Sequence, residues 1–64
     1  MKRQKLLRHL RFYGCCLRRE GAKHSLFENP ANGSVEAIPR HVEIDYRLVE
    51  KICRQLDIPL PSER

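Results

Sequence analysis

The stretch Cys15-Cys16-Leu17-Arg18-Arg19-Glu20-Gly21-Ala22-Lys23-His24-Ser25-Leu26-Phe27-Glu28-Asn29-Pro30-Ala31-Asn32-Gly33-Ser34-Val35-Glu36-Ala37-Ile38-Pro39 decides the fold. Residues 15–20 are short and flanked by glycines, which reads as a strand. Gly21-Ala22 is a tight connection, and residues 23–28 form a second strand paired back on the first. Asn29-Pro30-Ala31-Asn32-Gly33 is dense turn chemistry, with Asn-Gly a strong hairpin signal. Residues 34–38 then give a third antiparallel strand, stopped by Pro39. The centre of the chain is a three-stranded meander.

Outward from it, each flank is a helix. Leu6, Leu7, Leu10 and Tyr13 recur at helical spacing from about residue 3 to Tyr13, and Gly14 is placed to end that helix in a left-handed cap. After the meander, Asp45 is an N-cap. Ile44, Leu48, Ile52 and Leu56 step by four along a second amphipathic helix, which Pro59 and Pro61 prevent from continuing. Two apolar helix faces need one sheet face to bury against. The expectation is therefore an α+β domain, α-β-β-β-α, with both helices on one face and the other open. One domain covers residues 1–58, and residues 59–64 are a short tail. Leu6, Leu10, Leu48, Ile52 and Leu56 are expected core. Lys51 and Arg54 form a solvated helix face, paired with Glu50 and Asp57.

A chain of 64 residues has room for one small core and no separate cofactor domain. Three cysteines, two of them adjacent, are not a disulfide framework, and no ligand spacing supports zinc. Neither a cofactor nor a metal is expected. Met1 to Lys5 is charged, but Arg8 and His9 interrupt the apolar run that a signal peptide requires. No stretch approaches a membrane span, so a soluble, cytoplasmic protein is expected. The net charge of +5 is unevenly placed: residues 1–24 carry +7 and residues 25–64 carry −2. A basic half on a small protein suits a phosphate-rich partner.

Histidine is the side chain that exchanges a proton near neutral pH, and the chain has three. His9, between Arg8 and Leu10, reads as a surface or packing residue. His24 opens the second strand beside Lys23, with Arg18 and Arg19 on the adjoining strand. A neutral imidazole there can take the proton of an RNA 2′-OH, and cations can stabilise the charge that builds on the attacked phosphate. By spacing alone, such a histidine is more often a turn residue. His41, after Pro39-Arg40, is either a phosphate donor or a residue that packs where the second helix begins.

Together these residues resemble the HicA (YcfA-like) toxins, which are mRNA interferases, over about residues 3–59. The matching pieces are Leu6-Leu7-Arg8-His9-Leu10 with Tyr13-Gly14, then Arg19-Glu20-Gly21-Ala22-Lys23-His24-Ser25, and Asn29-Pro30 through Gly33. Ile38-Pro39-Arg40-His41, Glu43-Ile44, Lys51-Ile52 and Leu56-Asp57-Ile58 complete the order. The resemblance implies a fold like that of double-stranded-RNA-binding domains. It also implies a catalytic role for His24 in cleaving single-stranded mRNA; Arg18, Arg19, Lys23, Arg40 and His41 are the expected RNA contacts, and with no Asp/Glu cluster to hold magnesium the cleavage is expected to be metal-independent. The implied partner is a HicB-like antitoxin, with DNA touched only through it. Many members read Gly-Ser-His where this chain has Ala22-Lys23-His24. The alternative is a non-catalytic double-stranded-RNA-binding module, whose loop Gly21-Ala22-Lys23-His24 with Phe27 partly mimics. Such modules need a lysine cluster at the start of the second helix, where this chain has Glu43 and Asp45.

Overall fold

The structure is a computed structural model and describes residues 1–62. The element order is α1 (Arg3–Phe12), β1 (Cys16–Glu20), β2 (His24–Asn29), β3 (Ser34–Pro39) and α2 (Tyr46–Gln55). The strands form one antiparallel sheet in the order β1-β2-β3. This is the α-β-β-β-α arrangement expected from the meander and its flanks.

Alternation along β2 fixes the two faces. Ser25, Phe27 and Asn29 are buried, while His24, Leu26 and Glu28 are not. Phe27 joins Leu6 and Leu10 of α1, Ile38 of β3, and Val49, Ile52 and Cys53 of α2 in a single core. Both helices therefore cover the Phe27 face and leave the His24 face open. Leu48, expected in the core, is only partly buried at its margin. In so small a core each large side chain matters, since burying one contributes about 1.5–3 kcal/mol.

Local chemistry sets the helix ends. Asp45 caps α2 as its carboxylate accepts the Arg47 N–H at 2.8 Å. After α1, the Gly14 N–H bonds Arg11 O and the Cys15 N–H bonds Leu10 O. Gly14 has φ +89°, as this motif requires. The end of α2 repeats the pattern, with the Asp57 N–H on Arg54 O and the Ile58 N–H on Cys53 O. Here the left-handed position belongs to Asp57, at φ 58°, where a Cβ is unfavourable. Asp57→Gly should therefore stabilise the domain by about 0.5–1 kcal/mol. Thermal unfolding checks this: the midpoint should rise, whereas Asp57→Ala should not raise it.

Four features depart from the sequence reading. β3 runs on through Pro39, which pairs with His24; an edge strand tolerates the missing N–H. Lys51 pairs across to Glu36 of β3 at 3.1 Å rather than within its own helix. The β1–β2 register slips between Leu17, opposite Phe27, and Arg19, opposite Leu26. The start of the tail is held: His9 Nε2 bonds Pro59 O at 2.7 Å and the Tyr46 hydroxyl donates to Pro61 O at 2.8 Å. The end of the expected tail, residues 63 and 64, lies outside the described residues.

The turn between β2 and β3 is tied to α2. Buried Asn29 donates through Nδ2 to Leu56 O at 2.8 Å, and Asn32 donates to the same carbonyl at 3.2 Å. Two side-chain amides thus satisfy a carbonyl that the end of a helix leaves without a partner in the helix. No helix is long and apolar enough to cross a membrane among the described residues.

Candidate functional site

The β1–β2 hairpin presents the candidate site. The Gly21 N–H bonds His24 O at 2.8 Å, which puts Ala22 and Lys23 at the tip and His24 at the start of β2. A Cβ on Gly21 would stand 3.1 Å from the His24 carbonyl oxygen, a close approach that favours glycine.

A polar chain beneath the hairpin fixes it from three directions. Arg3 of α1 donates through Nε to Pro39 O and through Nη2 to Ser25 Oγ, both at 2.8 Å. The buried Ser25 hydroxyl donates to Glu20 Oε1 at 2.6 Å. Arg40 donates to that same oxygen at 2.6 Å and to Gly21 O at 2.8 Å. Arg3, Ser25, Glu20 and Arg40 thus join α1, both hairpin strands and the segment after β3. Charge-assisted bonds of this kind are about twice as strong as neutral ones. Sequence reading missed Arg3, Glu20 and Ser25 as site-forming residues.

Two hollows meet at His24. One, of about 380 Å³, is lined by Ala22, Lys23, His24, Arg40 and His41. The other, of about 300 Å³, is lined by Arg19, Gly21, Ala22, Lys23, His24, Leu26 and Ala37. Arg19, Lys23, Arg40 and His41 are therefore all gathered around His24. The bulge is what makes this possible for Arg19. Strict alternation would send two adjacent arginines to opposite faces, whereas the extra residue puts Arg19 opposite Leu26 on the open face.

Arg18 lines neither hollow. It bonds Glu28 Oε1 at 2.7 Å, so its charge is largely answered within the sheet. The His24 imidazole is exposed and makes no hydrogen bond or ion pair among the described residues. Cationic side chains from three separate segments line the hollows around it.

The cysteines take no part. Cys15 and Cys53 are buried; burial pushes both thiols up, with Cys16 adding at Cys15 and Cys15 adding at Cys53, which reaches about 11. Cys16 is exposed on β1. Among the described residues no three His, Cys, Asp or Glu side chains come together as metal ligands. Compared with protein families, with curated proteins and with solved structures, the chain has no match in any of the three.

Proposed function

We propose that this protein is an endoribonuclease toxin of the HicA type, cutting single-stranded mRNA with His24 as general base and held inactive by a HicB-like antitoxin. The observation that carries this reading is the meeting of two cation-lined hollows at one unpartnered imidazole. His24 takes the proton of a 2′-OH, and the 2′-oxygen attacks the adjacent phosphorus. The bond from phosphorus to the 5′-oxygen then breaks, and that oxygen takes up a proton. The products are a 2′,3′-cyclic phosphate and a 5′-hydroxyl. Arg19 and Lys23 supply positive charge where the phosphate gains negative charge, the largest single contribution in many such sites, while Arg40, paired with Glu20, holds the edge of the hollow in place. His41 brings a second imidazole to the same hollow. The antitoxin would cover the open sheet face, set acidic groups against Arg19 and Lys23, and bury His24. Binding only the folded toxin, it would also stabilise it.

Charge neutralisation tests the location. Each lost phosphate contact lowers the slope of log affinity against log salt by about 0.7 for a single strand. Arg19→Gln and Lys23→Gln should each weaken RNA binding and flatten that slope. Arg18→Gln should do less, because Glu28 already answers its charge. Lys51→Gln and Arg54→Gln should leave the slope unchanged. Equal losses from all five would mean diffuse attraction and no site at the hairpin.

A further inference from the structure

A third hollow, of about 410 Å³, is lined by Lys2, Arg3, Gln4, Arg40 and Val42. Arg40 also lines the hollow of His24 and His41, so the two spaces share that residue. Neither the hairpin nor the proposed cleavage step uses this third space. We propose that it is a second nucleotide subsite, seating the nucleotide next to the one cut at His24 on the same RNA strand. The assignment rests on the ribonuclease reading for the identity of the ligand, but not for the existence of the site.

Three observations carry it. The first is chemical. Val42 is 73% exposed and lines the hollow together with Lys2, Arg3 and Arg40. An exposed apolar side chain with Lys2, Arg3 and Arg40 around it offers a nucleobase an apolar contact and its phosphate a positive field. Its volume is within the about 300–1,000 Å³ usual for small-ligand sites.

The second is rigidity. The two walls are hydrogen-bonded to each other: the Arg3 N–H donates to Val42 O and the Ile44 N–H to Met1 O, both at 2.8 Å. Lys2 and Glu43 form an isolated antiparallel bridge between the same segments. A site built before the ligand arrives spends less on ordering.

The third is register. The Arg3 guanidinium is bonded to Pro39 O and Ser25 Oγ; Pro39 is paired with His24, and Ser25 follows it. One side chain therefore fixes the distance between the third hollow and the imidazole. The carboxylates nearby do not oppose a phosphate at full strength. Glu20 is bonded by Ser25 and Arg40. Glu43 is held below the usual carboxylate range by hydrogen bonds from the Met1 ammonium and Lys2, so it stays ionised and paired.

The test uses 2′-O-methyl RNA, which cannot be cut by 2′-OH attack, as a dinucleotide and a pentanucleotide. Affinities are read by fluorescence anisotropy across a salt series, and contacts by backbone amide NMR. The pentanucleotide should bind more tightly than the dinucleotide and shift the amides of Lys2–Gln4 and His41–Val42. Val42→Glu should weaken the pentanucleotide about tenfold by placing like charge beside a phosphate. Lys2→Met should flatten its salt slope by less than the about 0.7 of an unpaired contact, because Glu43 already answers part of its charge, and Arg54→Gln should change neither. Unmoved amides in folded protein, with equal pentanucleotide affinity in wild type and Val42→Glu, would overturn the subsite and leave the nuclease reading intact. Binding at these amides by a protein that cuts no RNA would uphold the subsite and remove the nuclease reading.

Discussion

His24→Gln should lower kcat/KM for RNA cleavage by about 10²–10⁴-fold, the range for losing a positioned acid or base, with little change in thermal unfolding. Glutamine keeps a polar, hydrogen-bonding side chain of similar reach but cannot take up the proton. The two halves of the expectation have separate causes. Catalysis falls, on the proposed mechanism, because the base it assigns is the unpartnered imidazole where the two hollows meet. Stability holds because that same imidazole is exposed and bonded to nothing among the described residues, and such surface changes are usually within about 0.5 kcal/mol. His9→Gln is the informative control. It removes a ring that bonds Pro59 O, so it should cost some stability and spare the intrinsic rate. In cells, expression of wild type should arrest growth and His24→Gln should not, at equal protein level. A folded His24→Gln protein with undiminished cleavage would remove His24 from the chemistry.

Much of the fold was legible because its signals are local. Gly14 after a helical stripe and Asp45 before one are caps whose chemistry involves only a few neighbouring residues, and both do what such caps do. What was not legible depends on pairing across the chain. The bulge exists only relative to β2, and nothing in Leu17-Arg18-Arg19-Glu20 alone says that both arginines avoid the helix side. Lys51 was paired with helix neighbours because those are visible in sequence, whereas Glu36 reaches it only through α2 lying on β3.

The candidate site divides along the same line. His24, Lys23 and Arg19 lie close together in sequence around one tip, and a basic run beside a histidine announces them. Arg40 was named for RNA, yet its first partners are Glu20 and Gly21 O, contacts that no local pattern predicts. Arg3 passed as one more cation in a basic half, although it registers α1 against the hairpin. Glu43 counted as a charge repelling duplex RNA, but the Met1 ammonium and Lys2 offset it. Asp45 is the stronger objection to a duplex-binding module. Its carboxylate occupies the start of α2 as a cap, where a phosphate would otherwise meet free N–H groups.

A single 2′-deoxy substitution at the scissile nucleotide should stop cleavage altogether, a larger effect than any side-chain change. Losing His24 leaves the nucleophile in place and merely without its base, so a slow reaction persists. Losing the 2′-OH leaves no attacking oxygen, and the surrounding cations cannot position water in line by themselves. Binding should survive, because the phosphates that Arg19 and Lys23 would meet are unchanged, and phosphate contacts dominate affinity. The deoxy oligonucleotide should therefore compete with substrate at a Ki near the substrate's Kd, and no cleaved fragments of it should form. Substrate with ribose intact should yield 5′ fragments ending in 2′,3′-cyclic phosphate, resolved from linear phosphates by mass because the cyclic form lacks one water. Chelator should leave the rate unchanged, since the charge stabilisation assigned here comes from guanidinium and ammonium groups already around His24. Cleavage of the deoxy substrate would place the nucleophile outside the RNA. Activity lost in EDTA and restored by magnesium would replace the cations of the hairpin with a metal ion as the source of charge.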